Sequence, residues 1–419
     1  MAITVHLPTL QNWSCHNCGG CCRQHAIYIT PEERARIEQQ EWTAAEGVPG
    51  PLFVKEGGWF RGRRTRLAHQ ADGGCVFLDE KGLCRIHAKF GEPAKPLACR
   101  IYPYAFHPSG KSVVVSLRYS CPSVVSNRGA TLKAQEKDLK ELARLVVPEG
   151  GDQMRPPAVS ESAHLEWPDF RRLVAGLDAT FADRGVPLVG RIVQAVEWVT
   201  HIGQANFDKI RGDRVDELVD VLRQAVAEQM PPLDRIAEPS SLGRVNFRLL
   251  CAQYARKDTE LDLRSGWSGR WRLLRTALAF TRGTGTVPSL QPVFRPVPFS
   301  QLENSFGPLP AETDEILTRY FRVKIQGLHF CGPAYYGVPF VEGFWSLALV
   351  YPVVLWLARW LAASDSRPAL TAADIEGALA IADHHHGYAD IFGSSSFRSR
   401  VRFMAQKGDI GKLAVWYSR

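Results

Sequence analysis

Four cysteines near the N-terminus constrain this chain more than any other feature. They follow the spacing Cys-x2-Cys-x2-Cys-Cys, at Cys15, Cys18, Cys21 and Cys22. Four more thiols come later, at Cys75, Cys84, Cys99 and Cys121. Cys-x2-Cys in a turn lets two sulfur atoms point at one centre, and thiolate suits zinc, copper(I) and iron-sulfur clusters. The sequence therefore predicts that these eight cysteines bind a soft metal, and eight thiols are too many for one tetrahedral zinc ion.

The N-terminal segment supports a metal rather than disulfides. Residues 1–13 contain no basic stretch followed by an apolar run and a small-residue cleavage site, so they do not resemble a secretory signal, and we expect a cytoplasmic protein. In a reducing compartment closely spaced thiols are more often metal ligands than disulfides. Two alternatives stay open, a set of buried structural cysteines and a redox-active dithiol of Cys15 and Cys18. Neither explains the four later cysteines.

Charge gives a weaker indication of partners. The 419 residues carry a formal charge of +8, but metal-bound thiolates would add negative charge that basic residues can balance. The densest basic run is Arg61-Gly62-Arg63-Arg64-Thr65-Arg66. It could steer a polyanion or an acidic protein surface, but no series of stacking aromatic residues and no nucleic-acid motif accompanies it, so a solvated hairpin face is favoured.

The chain divides into three predicted regions with a mainly α fold. Residues 1–128 form a small, irregular, cysteine-rich metal-binding domain with short β-hairpins, in which metal supplies much of the folding energy. Residues 129–282 form a helical domain. Residues 283–419 form a proline-rich connection, which wraps the surface or lines a cleft, and a C-terminal helical domain that packs with the preceding one.

Local patterns place the elements within these regions. Thr30, Pro31 and Glu33 indicate a helix start with a capping box. Strands are predicted at Cys75–Leu78 and 111–117, with a turn at 79–82 between Cys75 and Cys84. Residues 148–162 resemble a linker. Helices are predicted at 131–147, 169–177, 189–201, 213–230, 245–256, 311–323 and 343–358. The last of these contains Pro352 and has sixteen residues, too few for a membrane span, so a buried central helix is favoured.

Several C-terminal residues are ambiguous. The segment from His329 to Gly337 fits either a tight packing corner or a pocket wall. His384, His385 and His386 are spaced about 100° apart on a helix and cannot all face one ion. They fall in the last turn of a helix framed by Thr371 and Gly387, where the dipole favours imidazolium, although one of them can still point into a site. No nucleotide-binding glycine loop is present.

The first 121 residues resemble a known domain family. The cysteine spacing, Arg85-Ile86-His87 after Cys84, and Lys95-Pro96-Leu97-Ala98-Cys99-Arg100-Ile101-Tyr102-Pro103 are similar to the CxxCxxCC domain, described as zinc- or iron-chelating. With the long helical region added, the whole chain resembles the flagellin lysine-N-methylases. That resemblance implies a 4Fe-4S cluster on the cysteines and methyl transfer from S-adenosylmethionine to lysine side chains of a flagellin-like protein substrate.

Roles for individual residues follow as hypotheses. Cys21 and Cys22 are expected to point in different directions, so the thiols would form two four-ligand sites, or one cluster with a structural zinc. Arg100 and His87 are placed beside the ligands as cofactor-binding residues. Tyr102, Tyr104, Tyr335 and Tyr336 are candidates for a lysine channel. The catalytic candidates are Arg100, Tyr102, Tyr335 and Tyr336. The Cys-x3-Cys-x2-Cys arrangement usual for radical chemistry is absent.

Two functions therefore stay open. One is an iron-sulfur enzyme that methylates protein lysines. The alternative is a non-catalytic zinc- or iron-binding module whose helical region docks a partner. Cys251, which lies in a predicted helix, is expected to be an ordinary core thiol.

Overall fold

The computed structural model describes residues 4–48, 50–57, 64–256 and 266–419. Its fold is mainly α, with short strands concentrated near the N-terminus, as predicted. The α-helices span Gly20–Gln24, Pro31–Glu38, Arg85–Phe90, Leu97–Ile101, Pro122–Val125, Glu136–Val146, Trp167–Ala182, Leu188–Ile202, Asp213–Gln229, Ser241–Ala255, Gly266–Arg282, Phe299–Glu303, Thr313–Gln326, Phe340–Ser364, Ala372–His385, Ser395–Gln406 and Asp409–Tyr417. Short 3-10 helices span Ala44–Glu46, Glu92–Ala94, Leu132–Gln135, Gly151–Gln153, Leu233–Arg235 and Asp390–Gly393.

The strands form three small sheets. In the first, Ser112–Leu117 lies between Thr4–His6, which runs parallel to it, and Tyr104–Ser109, which runs antiparallel. In the second, Arg64–Leu67 lies between Tyr28–Ile29 and Phe53–Glu56, both antiparallel. The third pairs Thr286–Val287 with Val297–Pro298. The strand expected at 111–117 is thus confirmed, whereas residues 61–63 of the basic run lie outside the described residues.

The segment between Cys75 and Cys84 is not a regular hairpin, which corrects the predicted strand at Cys75–Leu78. Two isolated bridges hold it, one between His69 and Cys75 and one between Leu78 and Cys84. The turn itself is present, because the Asp79 carboxylate accepts from the backbone N–H groups of Lys81 and Leu83. Asp79 therefore closes the turn locally. The flanking residues form single bridges and not a ladder of paired strands.

The predicted helix start at Thr30 is confirmed. The Thr30 hydroxyl accepts from the Glu33 N–H, the Glu33 carboxylate accepts from the Thr30 N–H, and Pro31 is the first helical residue. The second oxygen of the Glu33 carboxylate accepts from the Leu97 N–H at 2.6 Å. One cap residue thus ties the first long helix to the short helix that carries Cys99.

The buried apolar residues form two clusters. The smaller cluster lies in the cysteine-rich region and includes Ile37, Val76, Phe77 and Ile86. The larger cluster runs from the first sheet through the C-terminal helices and includes Leu117. The cysteine-rich region thus has a small apolar core of its own. The predicted division of the chain at residue 128 stays a prediction.

The central helix of the larger cluster is Phe340–Ser364, which extends the predicted 343–358 at both ends. Among the described residues it is the one helix long and apolar enough to cross a membrane by length and composition, and 94% of its most apolar window is buried inside the protein. Its contacts with Ala372–His385 and Asp409–Tyr417 make it a core helix. The prediction of a central buried helix is confirmed.

Residues 148–162 are packed chain rather than a free linker, which corrects that prediction. Val159 is fully buried. The carbonyl groups of Ala158 and Val159 accept from the N–H groups of Phe340 and Val341, at 2.8 and 3.1 Å. The first N–H groups of a helix have no partner within the helix, and here the extended segment supplies their acceptors.

Candidate metal centre

The cysteine knuckle is shaped by three residues with positive φ. Asn17 and Gly19 adopt φ values of 56° and 65°, and the short helix that begins at Gly20 carries Cys21 and Cys22. Gly82, in the turn before Cys84, has φ 79°, and a β-carbon there would lie 2.1 Å from the Asn17 carbonyl oxygen. Glycine is therefore required at 82 because the turn lies directly against the knuckle.

Backbone contacts bring the later cysteines to this knuckle. The Cys75 N–H donates to the Cys22 carbonyl at 2.9 Å. Cys84 is the residue before the helix Arg85–Phe90, and Cys99 lies within Leu97–Ile101. Cys121 precedes the helix Pro122–Val125. Four separate turns and helix starts thus present thiols to one region.

All eight of these cysteines line one cleft of about 2200 Å³. The opposite wall comes from the helical region and includes Gln253, Gln291, His384, His385 and Tyr388. Gln291 belongs to the proline-rich segment that was expected to wrap the surface or line a cleft. The remaining thiols, Cys251 and Cys331, are buried in the larger core.

The thiols fall into two groups, named here by their position. The inner thiol group contains Cys21, Cys22, Cys75, Cys84 and Cys99, which lie close enough together that ionisation of one disfavours ionisation of another. The outer thiol group contains Cys15, Cys18 and Cys121. Cys15 and Cys18 are exposed, and the charge of Cys18 acts on Cys121.

The Sγ atoms of Cys21 and Cys22 lie 3.9 Å apart. The prediction that these two side chains point in different directions is therefore wrong, because the short helix turns both toward the cleft. A tetrahedral zinc site with metal–sulfur bonds of 2.3 Å has a sulfur–sulfur edge of about 3.8 Å. The pair can share one metal ion.

Burial and mutual contact raise the pKa of three inner thiols, Cys21, Cys75 and Cys99, and keep them protonated. The hydrogen bond with Cys22, together with burial, raises the pKa of Cys21. Burial raises the pKa of Cys75 to about 11, and burial followed by the charge of Cys75 raises the pKa of Cys99. Since metals bind thiolates, metal binding here must release protons.

The fit of a metal rests on the chemistry of the donors. Within residues 4–48, 50–57, 64–256 and 266–419, no three His, Cys, Asp or Glu side chains surround one point at metal-binding distance. Eight thiols on one cleft, with one pair at the edge length of a tetrahedral site, are nevertheless the donor set that zinc and iron-sulfur clusters use.

The predicted cofactor-binding and channel residues divide into two sets. Arg100, His87, Tyr102 and Tyr104 all line the cleft. The Arg100 guanidinium pairs with the Glu92 carboxylate at 3.0 Å. Their roles stay predictions.

Tyr335 and Tyr336 do not line the cleft, which corrects their placement in a lysine channel. The Tyr335 hydroxyl lies 2.6 Å from the Ser346 hydroxyl in the core, and the Tyr336 hydroxyl donates to the Ala389 carbonyl. Of the two interpretations of their segment, the packing corner is the one observed. Tyr336 contributes by holding the 388–391 loop, which does line the cleft.

The three adjacent histidines have different surroundings. The His384 ring stacks on the ring of His25, which belongs to the cysteine-rich region, and the two ring centroids lie 5.3 Å apart. His386 is buried, and its Nδ1 lies 2.7 Å from the Tyr254 hydroxyl. Burial lowers the pKa of His385 and His386 to about 3, so the expected imidazolium at the helix end is wrong for these two. His384 and His385 both line the cleft, and a role for either of them in the site stays a prediction.

Sequence reasoning missed part of the cleft wall. Five lining residues carry buried polar atoms without a hydrogen-bond partner: His25, His107, Arg118, Gln253 and Tyr388. The Arg118 guanidinium lies 3.6 Å above the Tyr388 ring. Buried polar groups are normally paired, so their concentration here indicates a place for water or ligand. His25, three residues after Cys22, and Arg118, three residues before Cys121, are the members whose proximity to a cysteine is visible in the sequence.

Comparison with known proteins identifies the cysteine-rich segment. Residues 14–122 match the CxxCxxCC family, whose description is "Putative zinc- or iron-chelating domain". No curated protein and no solved structure matches the chain. The matched segment contains all eight cysteines of the cleft, and it is a metal-binding cysteine-cluster domain.

Proposed function

We propose that this protein is an iron-sulfur enzyme that transfers a methyl group from S-adenosylmethionine to lysine side chains of a protein. The observation that carries the proposal is the position of the thiols on an open cleft shared with the helical region. Structural metal sites are closed by their ligands, whereas catalytic sites keep an open side. A purely structural site would not need Gln253, His384 and Tyr388 opposite the cysteines.

The inner thiol group is the proposed cluster site. It supplies five thiols, and a 4Fe-4S cluster takes up to four. When bound, a cluster with one iron lacking a protein ligand would supply a position for the amino and carboxylate groups of S-adenosylmethionine. Arg100 and His87 line the same cleft and would contact the carboxylate or the cluster sulfurs.

Two tyrosines of the cleft offer the second half of such a site. Methyl transfer needs a neutral lysine Nζ, whose electron pair forms the new N–C bond while the S–C bond breaks and S-adenosylhomocysteine leaves. Tyr102 and Tyr104 line the cleft and provide aromatic surface for the sulfonium cation or for an extended lysine stem. A flagellin-like protein is the proposed source of that lysine.

The distance between two cysteine sulfur atoms favours a second function. The distance of 3.9 Å between the Cys21 and Cys22 sulfur atoms suits one shared ion better than two irons of a cluster. In that case the protein is a non-catalytic zinc-binding module, and the helical region docks a partner.

Anaerobic purification distinguishes the two functions. A brown protein with iron and sulfide in equal amounts, whose absorption is lost in Cys99→Ser and kept in Cys251→Ser, supports the first. Cys251 is the matched control, because it is buried away from the cleft. A colourless protein with stoichiometric zinc would overturn the iron-sulfur proposal.

Transfer is tested separately on the holoprotein. S-adenosylmethionine labelled in the methyl group is added with flagellin, and methyl-lysine and S-adenosylhomocysteine are measured. Equal appearance of both products supports the methylase. A cluster-containing protein that neither changes its spectrum with S-adenosylmethionine nor forms methyl-lysine would leave the iron-sulfur centre standing and contradict the methylase.

A further inference from the structure

The helix Gly266–Arg282 exposes a continuous apolar stripe. Trp267, Trp271, Leu274 and Leu278 have exposed fractions of 78%, 59%, 48% and 46%. At 100° per residue these four side chains fall within about 60° of arc. Single exposed apolar residues are common, but four on one helix face mark an interaction surface.

The charges of this helix are all of one sign. It contains four arginines, at 270, 272, 275 and 282, and no aspartate or glutamate. Arg270 and Arg275 lie about 70° to either side of the stripe centre. Tryptophan with flanking arginine is the composition of helices that lie in the interface of anionic membranes.

The opposite face of the helix is already occupied. Gly269, Thr276 and Phe280 are buried, and the Arg248 guanidinium donates to the Phe280 carbonyl at 2.9 Å. A partner therefore meets only the outer half of the helix. A flat bilayer surface can do so, whereas a groove that encloses a helix cannot.

A second copy of the chain fits less well. A symmetric pairing of this face brings the arginines of both copies together. The helix has no carboxylate to pair with them. Anionic lipid headgroups supply the missing negative charge without this repulsion.

We propose that this helix face docks the protein on the surface of an anionic lipid bilayer. The two tryptophans and two leucines enter the interface, and Arg270, Arg275 and Arg282 contact lipid phosphate and carboxylate groups. The helix lies on the membrane and does not cross it. This inference is independent of the proposed enzymatic function.

Vesicle flotation of the full chain tests the proposal. The protein should float with vesicles of phosphatidylcholine that contain about 30 mol % phosphatidylserine, and it should not float with vesicles of pure phosphatidylcholine. Trp267→Ser combined with Trp271→Ser should lower the partition coefficient about tenfold or more. Arg270→Gln combined with Arg275→Gln should lower the partition coefficient about 25-fold, because each arginine contributes a factor of about five.

Matched control variants distinguish binding through this helix face from non-specific binding to vesicles. Val221→Ser removes an apolar side chain that is 63% exposed on another helix, and Arg155→Gln with Arg235→Gln removes two exposed cations elsewhere. Both should float like the wild type. Equal binding to neutral and anionic vesicles, no flotation, or a dimer in light scattering that the Trp267→Ser, Trp271→Ser variant abolishes would overturn the proposal.

Discussion

Lys324 and Asp383 form an ion pair at 2.6 Å in which neither side chain is exposed. The other carboxylate oxygen of Asp383 accepts from the N–H groups of Tyr119 and Ser120, directly before Cys121. Lys324 Nζ donates to the Leu117 carbonyl at 3.0 Å. Two C-terminal helices thus hold the segment that presents a cysteine to the cleft, so the helical region positions part of the metal site.

Asp383→Asn should destabilise the protein strongly. The amide can still accept from the backbone, but Lys324 is left as a buried charge without its counter-ion, which costs about 3–5 kcal/mol. Burial already lowers the pKa of Lys324, although Asp383 opposes that effect. Urea unfolding followed by circular dichroism measures the loss. Asp220→Asn, in an ion pair whose carboxylate is 73% exposed, should change stability by less than about 1 kcal/mol.

Lys324→Met combined with Asp383→Asn should recover part of that loss. The double variant removes the unpaired cation but keeps the amide beside Tyr119 and Ser120. Equal stability of the single and double variants would show that the charge pair is not what stabilises this contact.

Gly82→Ala should separate the turn from the cysteine knuckle. The added β-carbon would lie 2.1 Å from the Asn17 carbonyl oxygen, and φ 79° is unfavourable for alanine. Gly73→Ala is the matched control, since Gly73 has φ 83° and nothing within 4 Å. Both variants carry the left-handed cost of about 1–2 kcal/mol, but only Gly82→Ala should also lose bound metal. Equal metal content in the two variants would contradict the role of the contact.

The elements that the sequence predicts well depend on local interactions. Thr30 and Glu33 form their capping box within one turn of helix, and Val215 and Val219 are buried as the helical spacing requires. Such features need no knowledge of the rest of the chain. The eight cysteines on the cleft were found for the same reason, since their spacing is visible in the sequence.

The opposite wall of the cleft was not predictable, because it depends on long-range contacts. Asp383 and Tyr119 are separated by 264 residues, and Tyr388 reaches Arg118 across a similar interval. Tyr335 and Tyr336 lie in a segment rich in aromatic residues and glycine, yet burial and hydrogen bonding to Ser346 and Ala389 direct their side chains away from the cleft. Helix periodicity predicts which face of a helix is buried, but it does not predict which part of the chain packs against that face.

Glu342→Gln should lower stability at neutral pH and matter less in acid. The Glu342 carboxylate accepts from Arg398 and Arg402, and it joins the central helix to the helix Ser395–Gln406. Burial favours a higher pKa, but the hydrogen bonds from Arg398 and Arg402 outweigh it, so the pKa lies below the ordinary 4.5. A group with a depressed pKa in the folded state stabilises the protein above its unfolded pKa and loses that contribution as the pH falls through the folded value.

The expected loss in Glu342→Gln is about 1.5–3 kcal/mol at pH 7, as for hydrogen bonds to charged groups. The difference in the free energy of unfolding between Glu342→Gln and the wild type should become smaller as the pH falls below about 4.5. Chemical unfolding between neutral pH and about pH 3 measures it. Glu197→Gln, at a carboxylate that is 60% exposed, should show no such difference. A difference that stays constant over the whole range would mean that Glu342 contributes through packing rather than charge.

The two thiol groups should lose metal independently. Cys99→Ser removes a thiol from the inner thiol group, and Cys18→Ser removes a thiol from the outer thiol group. If each group binds its own metal centre, each variant should keep the metal of the other group, and the double variant should keep none. Metal per protein, measured by mass spectrometry after anaerobic purification, distinguishes this from a single shared centre.

Cys251→Ser and Cys331→Ser are the controls for the metal measurement. Both thiols are buried in the larger core, and neither lines the cleft. Each should retain the full metal content, even where the buried hydroxyl lowers stability. If either control lost as much metal as Cys99→Ser, the loss would reflect general destabilisation. If Cys18→Ser and Cys99→Ser each removed all the metal while the controls kept it, the eight thiols would serve one centre.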